Sequence, residues 1–252
     1  MAKSSASRIV TANNITGGVR ERFRGSSDIP LTATGVAKAR RLGQEIAKKG
    51  GLDRIYSSKL KRTSKTAEII ANATGAKVIL TDELRDWSMG KLEGLAVTPE
   101  NIEIQNKYLL SIPDSKIPGR GPYSTRDGES FNEFRKRGLR FLMHTIIPNA
   151  EKEPNVRTAY IGNFRYIKLI QSWIKAGCKS DGSIDSDDMI RYLKNNDLPP
   201  GSVERLEVED GKVELDSVDL FDGEKLDGNA FIIRHSTTAW NKPENDDEDE
   251  DE

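Results

Sequence analysis

Hydrophobic and polar positions along the chain follow two alternating periods. Over residues 34–49, Val36, Ala39, Leu42 and Ile46 fall at helical spacing and the run stops at Gly50-Gly51, which predicts an amphipathic helix. Residues 53–57 predict a short strand. Ala67, Ile69, Ile70 and Ala73 predict a second helix over 60–73, with Gly75 as its C-cap. A strand is expected at 77–80. The longest helical pattern runs over 129–147 through Phe131, Phe134, Leu139, Phe141, Leu142 and Ile146, with Pro148 as its stop. A strand at 157–161 and a helix at 164–176 follow. Two alternating runs, 203–209 and 212–220, flank Asp210-Gly211, a hairpin signal. The apolar run 229–234 (NAFIIR) predicts a strand buried on both faces. Strands that alternate with helices predict an α/β domain with a mainly parallel sheet. Residues 111–128 and 177–185, rich in Pro and Gly or in Gly, Ser and Asp, are expected to be irregular. No repeat or linker divides the chain, so 20–243 is expected to form a single domain.

Charge changes this picture at the end of the chain. The net charge of −1 averages two unlike parts. Eight of the last nine residues, 244–252, are acidic. Without them 32 acids face 39 Lys and Arg, so a basic body carries an acidic tail. Like charges at that density do not pack, and the tail is expected to be disordered. It could reach back over a nearby pocket and compete with anionic substrates, or serve only as a solubiliser.

Composition also excludes several classes. No apolar run approaches the ~18 residues of a membrane span. One cysteine, Cys178, allows no internal disulfide and no Cys-based zinc cage, so a reducing, cytoplasmic setting is expected. The N-terminal stretch lacks the apolar core of a secretory signal. Lys and Arg are scattered without a nucleic-acid-binding motif, so nucleic acid is not the expected partner. Only two histidines are present: His144, inside the long helical pattern and read as structural, and His235.

Three segments carry candidate chemistry. Arg234-His235-Ser236-Thr237-Thr238-Ala239-Trp240-Asn241 follows the buried strand, and ligands of open parallel sheets bind beyond the carboxyl ends of strands. Ser57 to Ala67 runs from a strand end into a helix start, where backbone N–H groups favour anions and Arg62 enters the first turn. Leu84-Arg85-Asp86-Trp87-Ser88-Met89-Gly90-Lys91-Leu92-Glu93-Gly94 reads as a shaped loop with two carboxylates. Each has an ordinary alternative: a capped surface histidine, a solvated basic helix start, a turn-forming Asp.

Together these segments resemble the histidine phosphatase superfamily, the phosphoglycerate-mutase-like enzymes. Gly25-Ser26-Ser27-Asp28-Ile29-Pro30-Leu31-Thr32-Ala33-Thr34-Gly35 is similar to the family's Gly-x-x-Asp-x-Pro-Leu-Thr-x-x-Gly segment. Ser57 to Ala67 is similar to its Ser-x-Leu-x-Arg-x-x-x-Thr-Ala helix start. Leu84 to Gly94 resembles the loop that holds its proton donor, and Gly128-Glu129-Ser130 another family segment.

The chain departs from the family in two ways. The family's opening Arg-His-Gly strand has its counterpart at Arg234-His235, after the other motifs, which implies a circularly permuted chain. Residues 8–15 (RIVTANNI) occupy the unpermuted position with Thr11 and Ala12 in place of Arg and His; they are a degenerate strand or a chance match within a leader of residues 1–19. Second, Asn163 stands where the family has a second histidine.

The resemblance implies a three-layer α/β/α fold and phosphomonoester hydrolysis through a phosphohistidine on His235. Asp86 is the implied proton donor, and Arg234, Arg62, Asn163, Asn241 and Thr238 the implied phosphate ligands. A small phosphorylated substrate or phosphate is the expected partner, with no cofactor and no metal. Lys107, Lys116, Arg120 and Arg126 in the variable segment 96–128 favour an anionic substrate. The rival expectation is a pseudo-phosphatase that binds a phosphorylated ligand or protein without turnover.

Overall fold

The computed structural model describes residues 21–124, 126–194, 198–209, 212–222 and 224–235. The acidic tail, the 1–19 segment, Thr238, Asn241 and the Asp210-Gly211 turn lie outside them.

The first helix, α1 (Ala33–Lys48), begins at Thr32, whose hydroxyl accepts the Gly35 N–H at 3.0 Å. Strand β1 (Arg54–Ser57) leads into α2 (Lys61–Thr74), which Gly75 ends at φ +79. Strand β2 (Lys77–Leu80) follows, then the 81–94 loop and α3 (Pro99–Asn106). Ser130 and Glu133 form a capping box at the start of α4 (Phe131–Phe141). A π turn at Leu142–Ile146 joins α4 to α5 (Ile147–Lys152). Then come β3 (Thr158–Gly162), α6 (Phe164–Lys175), α7 (Ser186–Lys194), the hairpin β4 (Val203–Glu209) and β5 (Lys212–Val218), and finally β6 (Ala230–Arg234).

One sheet runs in the order β2-β1-β3-β6-β4-β5. β2, β1, β3 and β6 are parallel, whereas β4 is antiparallel to β6 and β5 to β4. The mainly parallel α/β architecture is therefore the observed one, with an antiparallel hairpin on one side. Side chains alternate between two cores, one on each face. Ala159, Ile161, Phe231 and Ile233 pack with Leu42, Ile46 and Ile70 of α1 and α2. Tyr160 and Ile232 pack with Phe134, Leu139, Tyr166 and Ile170 of α4 and α6. All five residues of β6 are buried, as its apolar run predicts. Among the described residues no helix is long and apolar enough to cross a membrane.

Three details depart from the sequence pattern. Pro148 does not stop the long helix. It sits in the first turn of α5, where the missing N–H costs nothing and the preceding π turn has shifted the hydrogen-bond register. Helices α3 and α7 were not expected. Helix α3 buries only Gln105 and leaves no hydrophobic stripe in the sequence, whereas α7 carries a short apolar face of Met189, Ile190 and Leu193 that went unassigned beside the Gly- and Ser-rich 177–185 run.

Candidate active site

Three adjacent parallel strands bring candidate residues to one edge of the sheet. After β1 the chain enters α2, whose second residue is Arg62. After β3 comes Asn163, the extended residue that opens α6. After β6 comes His235, whose backbone N–H donates to the Gly162 carbonyl at 3.1 Å. Asp86 follows β2, the next strand outward, in the 81–94 loop. Arg62 is fully buried, and Asp86, Asn163, Arg234 and His235 are each no more than 3% exposed.

Charge is concentrated here. Burial pushes the Arg62 guanidinium down to about 10, and the Asp86 carboxylate opposes that shift. Burial, then the positive charge of Arg24, pushes Arg234 down to about 9. Arg24 itself is lowered by burial, against the support of Glu21. Arg165 belongs to the same group: it repels Arg24 and Arg234, and its Nη1 lies 3.5 Å from Asp86 Oδ2. Among the described residues, four guanidiniums thus lie near Asp86, with Glu21 beside Arg24 and with Glu93 and Asp28 acting on Arg62. A buried cluster of guanidiniums favours an anion. Arg24 and Arg165 were not singled out from sequence, because their burial is a tertiary effect with no local pattern.

Hydrogen bonds fix the aim of Arg62. Its Nη1 donates to the Ser27 carbonyl at 2.6 Å and its Nη2 to the Gly25 carbonyl at 2.8 Å. Nε and Nη2 both donate to Asn163 Oδ1, at 3.1 and 3.0 Å. Asn163 Nδ2 donates to the Leu84 carbonyl at 3.2 Å. The amide of Asn163 therefore orients Arg62 through its oxygen and has one Nδ2 hydrogen left for a ligand. Its expected role as a simple phosphate donor is narrowed accordingly.

The 25–27 turn is held from below by Glu93. This buried carboxylate accepts the Ser26 and Met89 N–H groups at 2.7 and 2.9 Å and the Ser27 hydroxyl at 3.1 Å. Gly25 is required at φ +47, because a Cβ there would meet Glu93 Oε1 at 2.3 Å. Glu129 plays the matching part behind Asp86. It accepts from Arg85 and Arg137, each at 2.7 Å, and its carbonyl accepts the Trp87 indole N–H at 3.0 Å. Trp87 is fully buried next to Asp86.

The cations of the variable segment carry less weight than expected. Lys116 pairs with Glu133, Arg120 with Asp127 and Arg126 with Asp82, at 3.1, 3.2 and 3.5 Å. His144 lies in the π turn that follows α4.

The family model for branch 1 of the histidine phosphatase superfamily matches residues 14–158. The chain belongs to this superfamily. Arg234 and His235 lie outside the matched stretch. Among curated relatives, the probable phosphoglycerate mutase GpmB of Proteus mirabilis is 39% identical over 119 residues, 47% of this chain and 53% of that protein. The chain spans about half the length of the curated relatives it matches. Two solved structures share the fold. The mycobacterial glucosyl-3-phosphoglycerate phosphatase complex with inorganic phosphate has a TM-score of 0.55 at 17% identity, covering 80% of this chain and 92% of its own. The phosphoserine phosphatase of Entamoeba histolytica in complex with 3-phosphoglyceric acid has a TM-score of 0.56 at 23% identity, covering 79% and 90%.

Proposed function

We propose that the protein is a phosphomonoester hydrolase that works through a phosphohistidine on His235. The observation that carries this reading is the arrival of Arg62, Asn163 and Arg234-His235 at the ends of three adjacent parallel strands, with Asp86 beside their guanidiniums. In the first step the His235 imidazole attacks phosphorus and the ester P–O bond breaks. The leaving oxygen takes a proton from Asp86. In the second step water attacks the phosphohistidine, Asp86 takes the water's proton, and phosphate leaves. Arg62 and Arg234 offset the charge on the equatorial oxygens, which is most of what phosphoryl transfer asks of a protein. Thr238 and Asn241 complete the proposed set of phosphate ligands. Superfamily membership and the small phosphorylated ligands of the structural relatives support this chemistry.

The chain order is read as a circular permutation. In support, β6 occupies the middle of the sheet between β3 and β4, although it follows both in sequence.

A second reading, binding of a phosphorylated ligand without turnover, is favoured by the neutrality of Asn163 and the commitment of its amide to Arg62 and Leu84. One experiment separates the two. Wild type and His235→Ala are assayed against a panel of phosphomonoesters, and the wild type is quenched in base, where labelled phosphohistidine survives, with loss of the label in acid as its signature. Hydrolysis at least 10³-fold above that of the variant is expected for a nucleophile. Equal rates in both proteins would sink the enzyme reading and leave the binding module.

A further inference from the structure

We propose that Arg165 is an additional anion-binding residue of this site, supplying from the first turn of α6 the positive charge that neutral Asn163 does not. The inference rests on the reading of the site as a phosphoryl site.

Arg165 is an unusual residue to find here. Its side chain is only 12% exposed. Nη2 donates to Gln105 Oε1 of α3 at 3.1 Å, Nη1 faces Asp86 Oδ2 at 3.5 Å, and the guanidinium lies 5.7 Å from the Phe23 ring centroid. These contacts fix the plane of the group but leave its Nε–H, which is buried and, among the described residues, without a hydrogen-bond partner, as are those of several other arginines. The Nε of Arg234 is in the same position. The two cations repel each other, and Arg24 repels both. Buried N–H donors are rarely left unmatched in folded proteins, and exceptions often mark a ligand. An anion that accepts from Arg165 and Arg234 would satisfy both donors and relieve the repulsion together.

The geometry also couples Arg165 to the proposed proton donor. Asp86 is the acid it pairs with among the described residues, so Asp86 and a bound anion compete for one guanidinium. Binding of a phosphoryl group on the Arg165 side would loosen the hold on Asp86 and let the carboxyl turn toward the leaving oxygen. Arg165 is then both a ligand of the substrate and a positioning residue for Asp86. A residue that only braces the loop against Gln105 would show neither effect.

The test is calorimetric binding of inorganic phosphate at low, fixed salt, with each variant's melting temperature measured alongside. Arg165→Gln should weaken phosphate binding about 10- to 100-fold, the size of a lost charge-assisted hydrogen bond. Arg165→Lys, which keeps the charge, should recover part of that loss. Asp86→Asn should tighten phosphate binding in the wild-type background, and the gain should shrink severalfold when Arg165 is Gln. Wild-type affinity in Arg165→Gln, or an equal Asp86→Asn gain in both backgrounds, overturns the proposal. Arg234→Gln separates this failure from a deeper one. If Arg234→Gln loses phosphate while Arg165→Gln keeps it, only the role of Arg165 falls. If neither variant changes binding, the anion site itself is misassigned. Should Arg165→Gln not fold, the same comparison runs on Arg165→Lys, where an unchanged affinity and an unchanged Asp86→Asn gain overturn the proposal.

Discussion

A carboxylate beneath the 25–27 turn sets the aim of Arg62. Glu93 holds Ser26 and Ser27, and the carbonyls of Gly25 and Ser27 hold the guanidinium. Burial raises the Glu93 pKa above its ordinary 4.5, against the backbone hydrogen bonds from Ser26 and Met89. A raised carboxyl contributes stability that is complete below the unfolded value and is lost as pH rises through the folded one. The advantage of wild type over Glu93→Gln in unfolding free energy should therefore be greatest near pH 4.5 and decline toward pH 7. Urea denaturation across that range measures it, and a difference that grows with pH contradicts the assignment. At the same scale, Arg24 and Arg165 show what residue type alone conceals. An arginine on a helix or loop reads as a solvated charge, and only the packing of α3, α6 and the 21–25 segment turns these two inward.

Elements differ in how much of themselves they write into the sequence. Helices α1, α2 and α6 bury continuous apolar faces, so their spacing locates them within a residue, whereas for α4 it locates only the start, within two residues. Strands β1, β3 and β6 were legible as short apolar runs. The site motifs were legible for a related reason. Parallel strands end on a common edge, so a short segment after a strand already carries its functional address. Helix α3 was not legible, because one buried polar side chain is too sparse a signal, while the apolar face of α7 is written in the sequence but over only nine residues. The continuation past Pro148 depends on a π turn that no local pattern announces. Capping is a local effect that can be measured by itself. The Ser130 hydroxyl accepts the Glu133 N–H at 3.1 Å, and Glu133 returns the bond to the Ser130 N–H at 2.8 Å. Ser130→Ala should cost about 1 kcal/mol, within the usual ~0.5–2 kcal/mol range, in a denaturant titration. A change below ~0.3 kcal/mol would show that tertiary packing alone holds the start of α4.

For the whole molecule, the cluster of buried guanidiniums links ligand and stability. The fold confines Arg24, Arg62 and Arg234 where burial disfavours their charge. An anion that binds only the folded state should raise the melting temperature, by roughly 2.7 kcal/mol at a hundredfold excess over Kd, or several degrees for a chain of this size. A thermal scan with inorganic phosphate tests it, with chloride at matched ionic strength as the control. Equal shifts from both salts would argue against a specific site. The placement of β6 has a consequence of another kind. A chain cut before residue 230 keeps β2-β1-β3 and β4-β5, but β3 and β4 then face each other across an empty lane, each with an unpaired edge. A synthetic peptide spanning 226–241 has the hydrogen-bonding pattern and the apolar faces to fill that lane. The two pieces, inert apart, should recover the proposed phosphatase activity when mixed, in proportion to the peptide until the lane is saturated. The histidine of the proposed chemistry would then be a reagent dispensed from a pipette, and this protein a natural starting point for a split reporter.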